Sequence, residues 1–403
     1  MPTVNPEILV WARETAGLTP QEAVRKIRLH DSRGMTAVDK LIAMERGDKD
    51  PTRANLAQMA KHYRRPLLAF YLSQPPPTTT RGVDFRTIPG IQSDNVSHLI
   101  DALVREMRSR QSMVRAVLKS EDEVNPLPFV GILKDLEGVS ACTDQAVRYA
   151  VDALYQVLDL DLPTEYCEEP NSRAAFNLLR SKAEAAGVFV LLKGNLGSYH
   201  TDIPVDVFRG FVIADDIAPF VIINNQDSPS AWSFTLLHEM VHLLLNETGI
   251  SGYDFEMESE VFCNTVASTC LLPTKDLEQV GINPIQDIIK QEQHISSFAQ
   301  RRNLSHTMVA CRLFRAGSTD QLSFNDLRDR FAQKWELNRS KQRERGRQSP
   351  GGPSYYGVHR YRVGRALLSL TGRMMGSGAL STTKAAKILD VKPTHVGSMI
   401  ATR

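Results

Sequence analysis

Apolar residues recur at spacings of three and four along most of this 403-residue chain, which predicts a largely helical protein interrupted by one short β-rich stretch. Over 7–16, Ile8, Leu9, Trp11 and Ala12 share a helical face and Gly17 stops the run. Thr19, Pro20 and Glu22 form a capping box that opens a helix through Ile27. A further helix is predicted over 36–46, ended by Gly47, and Thr52 caps another with Leu56, Met59, Ala60 and Tyr63 on its inner face. The apolar stretch 66–72 should pack back on this bundle, and Pro75-Pro76-Pro77-Thr78-Thr79-Thr80 reads as a stiff linker. Amphipathic helices are predicted over 95–119 and 144–158, then a helix over 174–186 and a strand over 188–192. Gly210-Phe211-Val212-Ile213-Ala214 and Phe220-Val221-Ile222-Ile223 are two apolar, β-branched runs around a turn at Asp215-Asp216. Ser228 caps and Pro229 starts the next helix. The stretch 339–353 is rich in Arg, Gln, Gly and Pro and reads as an exposed linker before a last helical unit, from about 364 to the end. No internal repeat of solenoid period is present.

Inside the helix that starts at Pro229, the apolar pattern is broken by His238-Glu239-Met240-Val241-His242. Two His four apart share one helical face, so both imidazoles reach one metal ion, and the Glu between them stands beside it. Polar groups in so leucine-rich a setting (Leu236, Leu237, Leu243, Leu244, Leu245) are costly unless something binds them. The plain alternative is two core His bonded to backbone. Catalytic zinc needs three protein ligands and an open position. Downstream, Glu256, Glu258 and Glu260 precede an apolar helix that ends at Leu271-Leu272-Pro273. Glu260 is favoured as third ligand, because Cys263, Asn264 and Ala267 share its face and are small or polar enough to sit by a metal. Glu258, Glu256, Glu247 and His294 stay open. Glu239 is then the general base, returning its proton to a leaving amine. Tyr253 and His200 are candidates for a second electrophile, and the strand at 220–223 for an edge that pairs with extended substrate, a core strand being the plainer reading of that run.

Length allows two or three domains, and 42% hydrophobic with 23% charged residues is the balance of a soluble globular protein. No apolar run is long enough to span a bilayer, and the N-terminus lacks the design of a signal peptide. Five scattered Cys without a C-x-x-C pair argue for a reducing cytosol, hence a cytoplasmic location without membrane contact. The formal charge of +2 hides an asymmetry: residues 1–86 carry 14 Lys/Arg against 9 Asp/Glu, residues 331–403 carry 14 against 3, and the middle is acidic. Basic ends suggest nucleic-acid contact there, unless they pair with the acidic middle or with a partner protein.

The N-terminal unit has the form of a helix-turn-helix and resembles the XRE/Cro-C1 type of repressor head. In such heads the third helix enters the major groove. Here that is about 36–44, with Lys40 and Asp39 outward, and Arg25, Arg28, Arg33 and Lys49 are candidate phosphate contacts. The stretch 28–35 is longer than a tight turn, which leaves a protein-interaction module as the alternative.

Taken with this head, the chain resembles the ImmA/IrrE family of zinc metallopeptidases. The matching segments are Asp84-Phe85-Arg86, Val207-Phe208-Arg209-Gly210-Phe211, Ala218-Pro219-Phe220-Val221-Ile222-Ile223-Asn224, the His238–His242 motif with its Phe234-Thr235-Leu236-Leu237 lead, and Glu260-Val261-Phe262-Cys263-Asn264 through Leu272-Pro273. Weaker likeness continues over 295–313, as a second, structural helix-turn-helix, and 381–400 looks like a third. The resemblance implies Zn2+ held by His238, His242 and Glu260 in a gluzincin-like set, with Glu239 as catalytic acid/base. It implies an endopeptidase of limited specificity that cleaves a transcriptional repressor or antitoxin-like helix-turn-helix partner. Ser268-Thr269-Cys270 departs from the family's more usual small-and-acidic stretch, which should affect packing rather than chemistry. Two other readings compete: a DNA-binding regulator whose peptidase fold is a sensor, and the toxin of a toxin–antitoxin pair. Basal activity is expected to be low. The oligomeric state is not legible.

The fold expected is α+β: a helix-turn-helix head (1–74), linker and helical connector (75–170), a zincin-like core with a small twisted sheet (171–320), a basic linker (321–353) and a basic helical tail of helix-turn-helix form (354–403).

Overall fold

The computed structural model describes residues 4–32, 34–76, 94–120, 124–251, 258–282, 287–348 and 354–401. The chain divides into two compact units, Met1–Met107 with Asn195–Ile203, and Arg108–Gly194 with Pro204–Arg403.

The first unit holds α1 (Pro6–Glu14), α2 (Pro20–Ile27), α3 (Ala37–Arg46) and α4 (Arg53–His62), then a 3-10 turn Leu67–Tyr71 and the first half of α5 (Asp94–Lys119). Thr19, Thr36 and Thr52 each close a capping box, satisfying N–H groups that the first helical turn leaves without partners. Ile8, Leu9, Ala12, Leu41, Met59 and Phe70 fill the core, so the apolar 66–72 stretch does pack back on the bundle. Arg13 Nε donates to Glu45 Oε1 at 2.7 Å, tying α1 to α3. In the long α2–α3 connection, Ser32 and Met35 exchange backbone hydrogen bonds of 3.0 and 3.1 Å.

The second unit opens with the rest of α5 and α6 (Asp144–Leu158). It continues through α7 (Ser172–Ala185), β1 (Phe189–Leu192), β2 (Gly210–Ile213), β3 (Phe220–Ile223), α8 (Pro229–Leu245) and β4 (Gly249–Ser251). The remaining helices are α9 (Glu258–Leu271), α10 (Ile288–Arg301), α11 (His306–Arg315), α12 (Gln321–Gln348), α13 (Tyr355–Val363), α14 (Arg365–Gly376), α15 (Thr382–Leu389) and α16 (Val396–Ile400). The mixed sheet runs β1-β3-β2-β4; β1 is parallel to β3, and β2 is antiparallel to both β3 and β4. Every residue of β1, β2 and β3 is buried, which explains their continuous rather than alternating apolar pattern. The sheet is covered by α8 across β2 and β3 and by α7 on β1, while α9 packs on α8.

The strand at 220–223 is the core strand of its two readings rather than an edge: it is β3, paired on both sides, and the edges are β1 and β4. One expectation fails. The basic linker expected over 321–353 is helical as far as Gln348. Gln, Arg, Lys and Glu are good helix formers, and proline first appears at Pro350. Buried Leu327 and Phe331 anchor the first part of α12, and Lys334 and Arg330 pair with Glu292 of α10. No described helix is long and apolar enough to cross a membrane.

Candidate metal centre

Helix α8 is buried on nearly every side from Ala231 to Leu245, which a helix tolerates only when its surface is apolar throughout or its polar groups are matched. Its start is fixed by Asn224 after β3. The Asn224 side chain donates to the Phe208 carbonyl at 3.0 Å, and Trp232 Nε1 donates to the Asn224 carbonyl at 3.1 Å. Ser228 caps the helix. Its end is turned by Asn246, in the left-handed region at φ 58°, so that the Glu247 N–H returns to the His242 carbonyl at 2.9 Å.

Three side chains converge between α8 and α9. His238 Nε2 lies 3.1 Å from His242 Nε2 and 3.2 Å from Glu260 Oε2, and His242 Nε2 lies 3.1 Å from Glu260 Oε1. Both rings are buried and the Glu260 side chain is 13% exposed. Among the described residues this trio is the one group with metal-ligand spacing. Two imidazole nitrogens turned on each other and on a carboxylate make a donor set that wants a cation. Tetrahedral zinc with bonds of about 2.0–2.2 Å sets its ligand atoms about 3.4 Å apart, close to the spacing present. The residues fit a zinc ion.

The electrostatics agree. Burial pushes the Glu260 carboxyl up, but hydrogen bonds and charge from His238 and His242 prevail and hold it at about 2. Burial pushes His242 down, yet Cys263, Glu247 and Glu260 together raise it well above the ordinary histidine value. Burial raises the Cys263 thiol. The whole pocket therefore favours positive charge at the point where the three side chains meet.

Three residues around this trio take places that the sequence did not assign them, Glu247 having been weighed only as an alternative third ligand. Glu247 Oε2 lies 3.2 Å from His242 Nδ1. A carboxylate only accepts, so Nδ1 carries a proton, and Nε2 is the ring nitrogen that would give its lone pair to a metal at the centre. Gly210 of β2 and Thr235 of α8 bracket Glu239: a Cβ at 210 would meet Glu239 Oε1 at 2.8 Å and Thr235 Cγ2 at 2.5 Å. Glu239 thus lies against the sheet, fully buried, next to His238 and about one turn before His242.

Residues 184–314 match the model of the Peptidase M78 family, described as the IrrE N-terminal-like domain. This supports an ImmA/IrrE-type peptidase domain over that span, with a metallopeptidase-like function. Comparison with curated proteins and with solved structures returned no match.

Of the other residues singled out by sequence, Glu258 is exposed and outside the trio, and His294 Nδ1 bonds to the Gly281 carbonyl at 2.8 Å. His200 lies in a 3-10 turn, Tyr199–Thr201. Glu256, Tyr253 and the segment Asp84-Phe85-Arg86 lie outside the described residues, as does Arg33. In the head, Arg25, Arg28 and Lys49 are exposed. Lys40 is half-buried and its Nζ donates to the His30 carbonyl. Asp39 closes the cap of α3.

Proposed function

We propose that this chain is a zinc-dependent endopeptidase of limited specificity, cleaving a helix-turn-helix repressor or antitoxin-like partner in a process coupled to DNA binding by its N-terminal head. The observation that carries the reading is the convergence of His238, His242 and Glu260 beside Glu239 in a buried helix. In this reading His238, His242 and Glu260 hold the ion. A bound zinc ion supplies a Lewis acid that brings the pKa of a water to about 7 and polarises a carbonyl.

The chain's own groups do the rest. Glu239, wedged against Gly210, takes a proton on its carboxylate and hands it to the leaving amine. Glu247 holds the His242 ring in the tautomer and orientation that leave Nε2 available. The backbone of β4 is the sheet edge next to β2, and an extended substrate adding there would pass the Glu239 side of the sheet. Arg25, Arg28 and Lys49 are the head's candidate phosphate contacts.

The test is a comparison of new protein N-termini in cells expressing the wild type or Glu239→Gln. One protein cut at one place, only by the wild type, is the expected result. Identical termini in both would defeat the protease reading and leave the DNA-binding sensor.

A further inference from the structure

The last two helices, α15 and α16, have the form of a helix-turn-helix. Ser381 Oγ caps α15, which stops at Asp390 in the left-handed region, φ 55°. After Val391 and Lys392 the chain re-enters a helical path at Pro393–His395 and continues as α16. Helix α14 packs on both α15 and α16. Ala385, Ala386, Ile388, Leu389, Val396 and Met399 are buried.

This tail is fastened to the unit that carries the metal centre. Arg180 and Glu184 of α7 form a buried pair, and Glu184 Oε2 accepts the backbone N–H groups of Arg365 (3.1 Å) and Ala366 (3.2 Å) at the start of α14. Arg180 donates to the carbonyls of Tyr361, Arg362 and Val190. Arg110 Nε donates to the Ile388 carbonyl at 2.9 Å, and His359 Nε2 to the Leu389 carbonyl at 2.8 Å, so the last carbonyls of α15 are fixed.

The charge of this tail is nearly all of one sign. Residues 354–401 contain seven Lys/Arg and a single acid, Asp390, whose carboxylate is bonded to Lys193 Nζ at 2.7 Å. Lys384, Lys387 and Lys392 are exposed, as are Thr394, Gly397 and Ser398 on the second helix of the motif. Gly397 has no reason inside the fold to be glycine: a Cβ there would meet nothing within 4 Å. Glycine within a helix costs about 1 kcal/mol against alanine. A bare backbone on a solvent face suits the close approach of an external surface.

We propose that this C-terminal helix-turn-helix is a second surface for double-stranded DNA. The helical stretch 393–400 enters the major groove, and Lys384, Lys387 and Lys392 contact phosphates. This goes beyond the peptidase reading and does not depend on cleavage. It places DNA on the same unit as the metal centre, independently of the N-terminal head.

The test is fluorescence anisotropy of the full chain with a labelled duplex of about 25 base pairs, from about 50 to 200 mM salt. Lys384→Gln/Lys387→Gln/Lys392→Gln should weaken binding at least about tenfold and reduce the salt slope by roughly 2–3. Gly397→Glu, whose Cβ would meet nothing within 4 Å, should weaken binding by a similar factor at unchanged Tm. An Arg25→Gln/Arg28→Gln/Lys49→Gln head variant should still show the loss when the tail lysines are changed. The proposal is overturned if the wild type does not bind duplex at low salt. It also fails if the tail variants bind as the wild type does, or if single-stranded RNA binds as tightly as duplex.

Discussion

Replacing Gly210 by alanine would test how Glu239 is positioned, separately from how the metal is held. A methyl group at 210 would lie 2.5 Å from Thr235 Cγ2, 2.8 Å from Glu239 Oε1 and 3.1 Å from the Ile222 carbonyl oxygen. Carbon atoms in contact sit about 3.5–4.0 Å apart, so the first contact is short by about 1 Å. Thr235 is buried and β-branched within a helix, so its χ1 has little freedom. Ile222 is locked in the ladder opposite Phe211. What gives is the Glu239 carboxylate or α8 itself. Overpacking of this kind costs about 1–3 kcal/mol, and misplacing a catalytic group by about 1 Å costs on the order of a hundredfold in rate. The expected result is a fall of about a hundredfold in kcat/KM on a peptide spanning the natural cleavage site, with a Tm lower by a few degrees. Zinc content should be unchanged, since the added methyl touches none of the three proposed ligands. Gly210→Ala/Thr235→Ser removes the worst clash and should recover about tenfold of the loss. Full activity in Gly210→Ala, or loss of zinc together with activity, would refute the reasoning.

Glu247→Ala should lower zinc affinity about 10–100-fold, measured by chelator competition, while Glu247→Gln, which keeps an acceptor oxygen, falls between it and the wild type. Arg180→Leu leaves Glu184 buried without its partner guanidinium and should destabilise the second unit by about 3–5 kcal/mol in denaturant unfolding. A loss below about 1 kcal/mol would mean that the pair does not hold the tail in place. Chelation should lower Tm reversibly, since zinc at about 1,000 times its Kd stabilises the folded chain by about 4 kcal/mol. A Tm indifferent to chelator and to added zinc would count against a bound ion.

The parts that sequence made legible are those where local chemistry and tertiary need coincide. Thr19, Thr36 and Thr52 stand where caps form, and α2, α3 and α4 begin there. Glu260 and Cys263 share a helical phase, and in the fold Cys263 Sγ lies 3.7 Å from His242 Nδ1, on the same side as the carboxylate. Sequence was silent where the deciding partner is distant or the pattern is uniform. Glu247 reads only as one of several possible third ligands, and its place behind the His242 ring shows once Asn246 turns the chain back on His242. Gly210 reads as the start of a strand, and only the approach of α8 shows why a side chain has no room there. The polar composition of α12 hides a helix whose support is a few anchors at one end. The three-residue β4 is too short for periodicity to mark, and without it β2 cannot be seen as an interior strand.

The most direct measurement is the metal content of freshly purified protein, wild type beside His238→Ala, Glu239→Gln and Glu260→Ala. The expected result is about one zinc per chain in the wild type and in Glu239→Gln, and its loss from the other two. A wild type without metal, or a Glu260→Ala variant that binds zinc with full affinity, would contradict the proposed centre.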